Sequence, residues 1–228
     1  MLSVIIPTLN AETHLPALLA QLGKQVDEIV ITDGGSTDGT LATALAANAR
    51  IAMGCKGRGW QLARGAKWGA KWVTGFTSDD WLLFLHADTR LGDGWAEEIQ
   101  QHIKYFPDKA GYFRFKLSAD GFWPRWTELW VRLRCAFAAL PYGDQGLLIR
   151  RDVYEAVGGY PDWLLFEDVQ IVRTLGRRRL RALSADALTS AERYEKQGYV
   201  RRGLGNVALL FRFLMGAKPD TLNTTYNK

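Results

Sequence analysis

Cysteine is scarce in this chain. Cys55 and Cys135 are the only two in 228 residues, too few for a disulfide framework, and the absence of CxxC or Cys/His spacing argues against a zinc module. A reducing compartment suits such a chain, which points to the cytoplasm, with the inner face of a membrane also open to it. No apolar run approaches the roughly 20 residues that span a bilayer. The candidate near the C-terminus, Val207 to Phe211, is interrupted by Arg212. Met1 to Pro7 has no basic stretch ahead of its apolar residues and reads as a strand, not a signal peptide. Internal repeats, low-complexity tracts and linkers are lacking too, and the length suits one full core, so a single domain over residues 1–228 is expected. No nucleic-acid module or aromatic and basic RNA motif occurs, and a nucleic-acid partner is not expected. The net charge, +5 from 29 Lys and Arg against 24 Asp and Glu, is compatible with an anionic ligand or membrane surface but demands neither.

The first half of the chain alternates short apolar runs with amphipathic ones. Ser3 to Ile6, Glu28 to Thr32, Arg50 to Met53 and Trp81 to Leu85 read as strands. Ala11 to Leu22, a helix opening near Thr40, Trp60 to Val73 and Gly94 to Phe106 read as helices between and after them. Strand and helix in alternation with short connections is the pattern of an open α/β sheet, in which ligands sit outside the carboxyl ends of the strands. Four polar or glycine-rich segments follow strands: Pro7 to Asn10, Asp33 to Gly39, Lys56 to Gly59 and His86 to Thr89. They can line one crevice. His86 and Asp88, two apart at a strand end, leave on the same side, where a cation or a phosphate could meet both; a strand running into a turn capped by Asp88 fits equally well.

From Gly111 onward the pattern changes. Gly111 to Leu117 alternates like a strand with one face less buried, Gly146 to Arg150 and a segment through Ser184 read as strands, and Asp152 to Val157 and Asp168 to Leu175 as short helices. Trp123, Trp126, Trp130, Leu133, Phe137 and Leu140 recur at helical spacing. That stripe is most simply core, with a groove or a peripheral membrane contact as the sharper reading. The basic run Arg177-Arg178-Arg179-Leu180-Arg181 is either a solvated face or a partner for phosphates or lipid headgroups. A last helix carries Val200, Leu204, Val207, Phe211 and Leu214 on one stripe, ahead of a poorly patterned tail.

Taken singly these loops are weak signals; their order is more specific. Ser3-Val4-Ile5-Ile6-Pro7-Thr8-Leu9-Asn10, then Ile29 to Thr40 with Asp33-Gly34-Gly35-Ser36-Thr37-Asp38-Gly39, then His86-Ala87-Asp88, then Gly158-Gly159-Tyr160 and Glu167-Asp168, resembles the family-2 glycosyltransferases of the nucleotide-diphospho-sugar transferase superfamily. The resemblance covers about residues 2–196. It implies a single-domain, Rossmann-like GT-A fold: a mixed, mainly parallel sheet flanked by helices. Residues 1–110 would form the nucleotide-sugar half, 111–200 the acceptor side, and 200–228 a C-terminal helix and tail.

The resemblance also implies the chemistry: transfer of a sugar, with inversion and in one displacement, from a nucleotide-diphosphate donor, UDP-linked, to the hydroxyl of an acceptor it does not identify. Pro7, Thr8, Asn10, Asp33, Lys56 and Arg58 match positions expected around the nucleotide. Asp33 would accept hydrogen bonds from base or ribose, or else cap the turn before Ser36. Asp88 matches the second acid of the family's DxD motif and is the implied ligand of a divalent cation, Mn²⁺ or Mg²⁺. His86 stands where the first acid would be. That is a departure, because an imidazole suits Mn²⁺ better than Mg²⁺. It serves either as a metal ligand or as a hydrogen-bond partner of the ribose or diphosphate. Of the adjacent acids Glu167 and Asp168, both catalytic candidates, Asp168 matches the general base, while the other caps the helix or pairs with a basic neighbour. Gly143 to Gly146 is expected near the donor sugar or acceptor, and Arg193 as a brace for the diphosphate. A nucleotidyltransferase of similar fold and a non-catalytic nucleotide-sugar-binding partner protein are the rival readings.

Overall fold

A computed structural model describes residues 1–68, 79–219 and 221–222, with the side chain of Arg193 set apart from the described ones. Its described strands form one eight-stranded sheet. The strands are β1 (Leu2–Thr8), β2 (Glu28–Asp33), β3 (Arg50–Met53), β4 (Trp81–Phe84), β5 (Arg90–Leu91), β6 (Ala110–Leu117), β7 (Leu147–Arg150) and β8 (Leu180–Thr189). Their spatial order is β3-β2-β1-β4-β7-β6-β8-β5. β3, β2, β1 and β4 are parallel, β7 runs against β4 and β6, and β8 runs parallel to β6. The expected α/β architecture with a mixed, mainly parallel sheet is therefore present.

The order has a direct consequence for the site. The chain leaves β1 for β2 and β3 on one side, then returns to the other side of β1 as β4. Parallel strands that diverge in this way leave a crevice beyond their carboxyl ends. β1 and β2 are paired in register down to Thr8 and Asp33, so the polar segments that follow them emerge side by side.

The helices cover both faces. α1 (Leu15–Leu22), α2 (Thr40–Ala46) and α4 (Trp95–Tyr105) flank one core, in which Val4, Ile6, Leu18, Leu83 and Phe113 are buried. α3 (Arg58–Trp68), α6 (Arg151–Ala156) and α7 (Glu167–Leu175) flank the other, around Ile5, Leu82, Phe84 and Ile149. Alternate residues of β1 and β4 thus enter opposite cores, as period-two geometry requires of a strand covered on both sides. Each such Leu or Ile contributes about 1.5–3 kcal/mol on leaving water. The helix expected over Trp60 to Val73 begins earlier, at Arg58, and beyond Trp68 that expectation lies outside the described residues.

Further α-helices are α5 (Phe122–Ala138), the short α8 (Glu192–Gln197) and α9 (Tyr199–Leu214). Here the structure corrects the simplest sequence reading. The Trp123, Trp126, Trp130, Leu133 and Phe137 stripe of α5 is exposed, not core. α5 packs instead through Val131 and Cys135, against Phe115, Leu117 and Ala191. α9 is turned the same way, burying Phe213 against Phe166 while Leu204, Val207 and Phe211 face outward. An amphipathic repeat defines two faces, and the neighbours available decide which one turns inward.

Candidate active site

The site is assembled at the carboxyl ends of β1, β2 and β4. Asp33 closes β2 with no exposed surface. Its Oδ1 accepts hydrogen bonds from Thr8 Oγ1 at 2.8 Å and Ser36 Oγ at 2.5 Å, and its Oδ2 from the Gly35 and Ser36 backbone N–H groups at 2.8 and 2.7 Å. Burial by itself would push the Asp33 carboxyl up, but the bonds from Ser36, Thr8 and Gly35 outweigh it and hold the group below its ordinary value. Four bonds fill the acceptor capacity of a carboxylate. In this structure Asp33 shapes the loop.

That loop is stitched to the end of β1. Asn10, in the left-handed region at φ 52°, donates its N–H to Ser36 Oγ and accepts the Thr37 N–H on Oδ1 at 2.9 Å. Asn tolerates this conformation better than other residues bearing a Cβ. Gln61, buried on α3, donates from Nε2 to the carbonyls of both Thr8 and Thr32, at 2.8 and 2.7 Å, and ties the ends of β1 and β2 together. The sequence singled out the loops but not Gln61; its one signal was an amide within the inward register of a helix.

The opposite wall comes from the second half of the chain. Glu167 and Asp168 open α7, and their side chains diverge. Glu167 is fully buried and paired with Arg58 at the start of α3. Burial pushes its carboxyl up, with Arg58 opposing and Asp168 reinforcing the rise. Asp168 faces the pocket. Its Oδ1 accepts the Val169 N–H at 2.7 Å and its Oδ2 the Gly143 N–H, also at 2.7 Å. The preceding residue, Phe166, adopts φ 64° and stacks on Phe213 at 4.7 Å. A bulky residue held in that region costs on the order of 1–3 kcal/mol and requires surroundings that enforce it.

Gly143 begins a 3₁₀ turn (Gly143–Gln145) that brings these elements together. A Cβ at Gly143 would lie 2.8 Å from His86 Nε2 and 3.3 Å from Asp168 Oδ2. Only a hydrogen fits between the imidazole and the carboxylate. Gln145 anchors the turn through Nε2 to the Phe113 carbonyl, and its Oε1 accepts from Arg134. The Arg134 guanidinium lies 3.4 Å from the centroid of the Tyr142 ring. Asp144 lines the same pocket, and its Oδ1 is sealed from solvent without a hydrogen-bond partner. Burial pushes the Asp144 carboxyl up to about 6, opposed by Arg134 and reinforced by Asp168.

A pocket of about 410 Å³ opens among these elements. Of the residues expected from sequence, Asn10, Arg58, His86, Asp88 and Asp168 line it. Pro7, Thr8, Asp33, Lys56 and Glu167 stand outside its lining, Lys56 exposed and the others built into the surrounding framework. Arg193 falls on α8, and its side chain lies outside the described residues. Arg134, Tyr142, Thr189 and Arg202 line the pocket without having been singled out. Among the described residues, no three His, Cys, Asp or Glu side chains stand close enough to hold a metal ion by themselves. Asp88 and His86 could supply at most part of a coordination shell, the rest coming from phosphate oxygens and water.

Residues 3–157 match the profile of the family described as "Glycosyl transferase family 2". The chain belongs to this family. Curated relatives named "PGL/p-HBAD biosynthesis glycosyltransferase", from Mycobacterium bovis and Mycobacterium tuberculosis, are 37% identical over 178 residues, covering 70% of this chain and 63% of theirs. The chain thus spans less than two thirds of the length of the curated relatives it matches. Among solved structures, S. aureus TarS 1-349 shares the fold with a TM-score of 0.61 at 17% identity, covering 83% of this chain and 60% of that one. Glucosyl-3-phosphoglycerate synthase from M. tuberculosis does so with a TM-score of 0.55 at 18% identity, covering 83% and 70%. The family match ends before α7, so Glu167 and Asp168 lie outside the matched residues.

Proposed function

We propose that this family-2 chain is an inverting glycosyltransferase that moves a sugar from a UDP-linked donor to an acceptor hydroxyl with the assistance of a divalent cation. The observation that carries this reading is the Asp168 carboxylate, held by two backbone N–H groups in the same pocket as His86 and Asp88. Each Asp168 oxygen accepts one N–H and keeps a further lone pair for an acceptor hydroxyl. A general base needs that combination: fixed orientation and an unused acceptor site within reach of the proton. In-line displacement then requires the acceptor on the Asp168 side of the sugar and the leaving diphosphate on the other.

Asp88 and His86 are the residues that would hold the cation. A carboxylate suits either Mg²⁺ or Mn²⁺, and the imidazole favours Mn²⁺. When bound, the cation would take up charge on the leaving diphosphate. Arg58 and Asn10 border the same space and can contact anionic or hydroxyl groups of the nucleotide. Structures of similar fold give the reading its support on the donor: TarS 1-349 is described in complex with UDP-GlcNAc, and glucosyl-3-phosphoglycerate synthase in complex with Mn²⁺ and UDP.

Calorimetric titration of UDP tests the proposal. Binding is expected in Mn²⁺, weakened strongly by EDTA and by Asp88→Asn. UDP affinity unchanged by both treatments would remove the metal role, and absence of binding to UDP and UDP-sugars would remove the transferase reading.

A further inference from the structure

α5 and α9 present to solvent the faces that surface helices ordinarily turn inward. On α5, Trp123, Trp126, Trp130 and Phe137 are exposed, Phe137 to 79%. On α9 the same holds for Leu204, Val207, Phe211 and Leu214, with Phe211 at 63%. The inner faces are already in use, through Val131 and Cys135 on one helix and Phe213 on the other. The two helices touch, so the exposed stripes lie on neighbouring elements. Exposed apolar stripes on adjoining helices mark an interaction site.

The charge around it identifies the partner. Arg132 on α5 and Arg201 and Arg212 on α9 are exposed. The 3₁₀ turn Arg177–Arg179 is fastened to the end of α5, where Arg177 donates to the carbonyl oxygens of Ala136 at 2.6 Å and Phe137 at 3.3 Å. Phe137 is therefore tied to a turn that carries three exposed arginines. A second copy of this chain on the same face would bring arginine against arginine. An anionic lipid surface neutralises them, takes the Trp rings at headgroup level and accepts the Phe and Leu side chains below it. Among the described residues no helix is long and apolar enough to cross a membrane, so α5 and α9 would lie on it.

We infer that the outer faces of α5 and α9, with Arg177–Arg179, form a surface that docks on an anionic bilayer. Val131 and Arg134 of α5 and Arg202, Asn206 and Leu209 of α9 also line the pocket. Docking would therefore hold the pocket wall against the lipid interface and offer it acceptors whose hydroxyls lie there. That last consequence rests on the transferase reading; docking itself does not.

The test is sedimentation with phosphatidylcholine vesicles containing about 30% phosphatidylglycerol, against phosphatidylcholine alone, with no nucleotide sugar present. The chain is expected to sediment with the anionic vesicles, less so at high salt, with its Trp emission quenched by brominated acyl chains. The triple variant Trp126→Gln, Trp130→Gln, Phe211→Gln should lose about tenfold or more in partitioning while keeping its circular dichroism and UDP affinity. Arg178→Glu with Arg179→Glu should weaken partitioning to anionic vesicles alone. No sedimentation with either vesicle, or partitioning untouched by both variants, would overturn the proposal. So would a dimer in solution that the triple variant dissolves, which makes a second copy the occupant. UDP binding lost with vesicle binding intact would instead count against the transferase reading.

Discussion

The Gly143 N–H donates to Asp168 Oδ2 at 2.7 Å, across a separation of 25 residues. The bond joins the turn after α5 to the first turn of α7, and it sets the direction of the carboxylate proposed as base. The same glycine leaves room for His86, so one backbone position adjusts both the β4 side and the α7 side of the pocket.

Gly143→Ala should accordingly damage catalysis more than folding. The added methyl meets His86 Nε2 and Asp168 Oδ2, and overpacking of this kind costs roughly 1–3 kcal/mol. Transfer is expected to fall by about 10-fold to 100-fold, since small misplacements of a reacting group carry such losses. Steady-state kinetics beside thermal unfolding would show it; full activity would mean that the turn has no part in orienting Asp168.

Asp168→Asn keeps the shape and removes the proton acceptor. Turnover should fall by about 10²–10⁴-fold with UDP affinity nearly unchanged, the range expected for losing a general base. If turnover survives, the base lies elsewhere, and Asp144 is the next residue to test.

Asp144→Asn is expected to stabilise the fold and weaken the enzyme. The folded-state pKa of Asp144, about 6, lies above its ordinary 3.8, so the folded chain holds the extra proton. That contribution is complete below 3.8 and lost as pH rises through 6, leaving a strained carboxylate at neutral pH. Asn removes the pH-dependent loss and should raise stability at pH 7 by roughly 1–2 kcal/mol. Chemical denaturation at pH 4 and pH 7 measures this, and equal changes at both would contradict it.

Arg58→Ala leaves Glu167 buried beside Asp168 without its partner. Breaking such a pair costs up to about 3–5 kcal/mol; water reaching the vacated, partly open Arg58 site lowers the expectation to roughly 2–3 kcal/mol. Glu167 already has a raised pKa, so the folded variant will favour the protonated acid still more, and its stability should fall as pH rises above 4.5. Adding Glu167→Gln should remove that slope in denaturation experiments across pH.

His102 predicts acid sensitivity of the core beneath α4. It is fully buried; its Nε2 lies 2.8 Å from the Lys109 carbonyl, and its Nδ1 has no partner. The carbonyl makes Nε2 the protonated nitrogen of the neutral ring. Burial first, then Arg181, pushes its pKa below the ordinary 6.5, against the pull of the Lys109 carbonyl and Glu98. Stability from the neutral ring is complete above 6.5 and lost as pH falls toward the folded value, by up to about 1.4 kcal/mol per pH unit. His102→Gln should flatten this limb of the stability curve, and an unchanged limb would assign acid sensitivity to other groups.

Much of the framework was legible in the residues because it follows local rules. Continuous apolar runs such as Trp81 to Leu85 read as strands covered on both faces, and β3 has the bounds its pattern suggests. The two-residue β5 and the short α8 escaped, since neither is long enough to show a period. The motif order likewise brought Asn10, Arg58, His86, Asp88 and Asp168 forward, and all five meet in one pocket.

Pairings between distant residues were not legible. Arg58 and Glu167 are 109 positions apart, and no pattern in either segment announces the other. Asp33 reads in sequence either as an acceptor for a ligand or as the cap of the turn before Ser36; the structure shows the cap, with Thr8 added from β1 once β1 and β2 lie in register.

The sequence by itself determined the alternation of strands and helices and the family, because these depend on residue type and near-neighbour spacing. Tertiary structure alone decided that the basic partner of Glu167 is Arg58, and that the stripes of α5 and α9 face outward. The reason is physical: periodicity specifies that a helix has an apolar face, but its direction follows from the neighbours the whole chain leaves free to cover it.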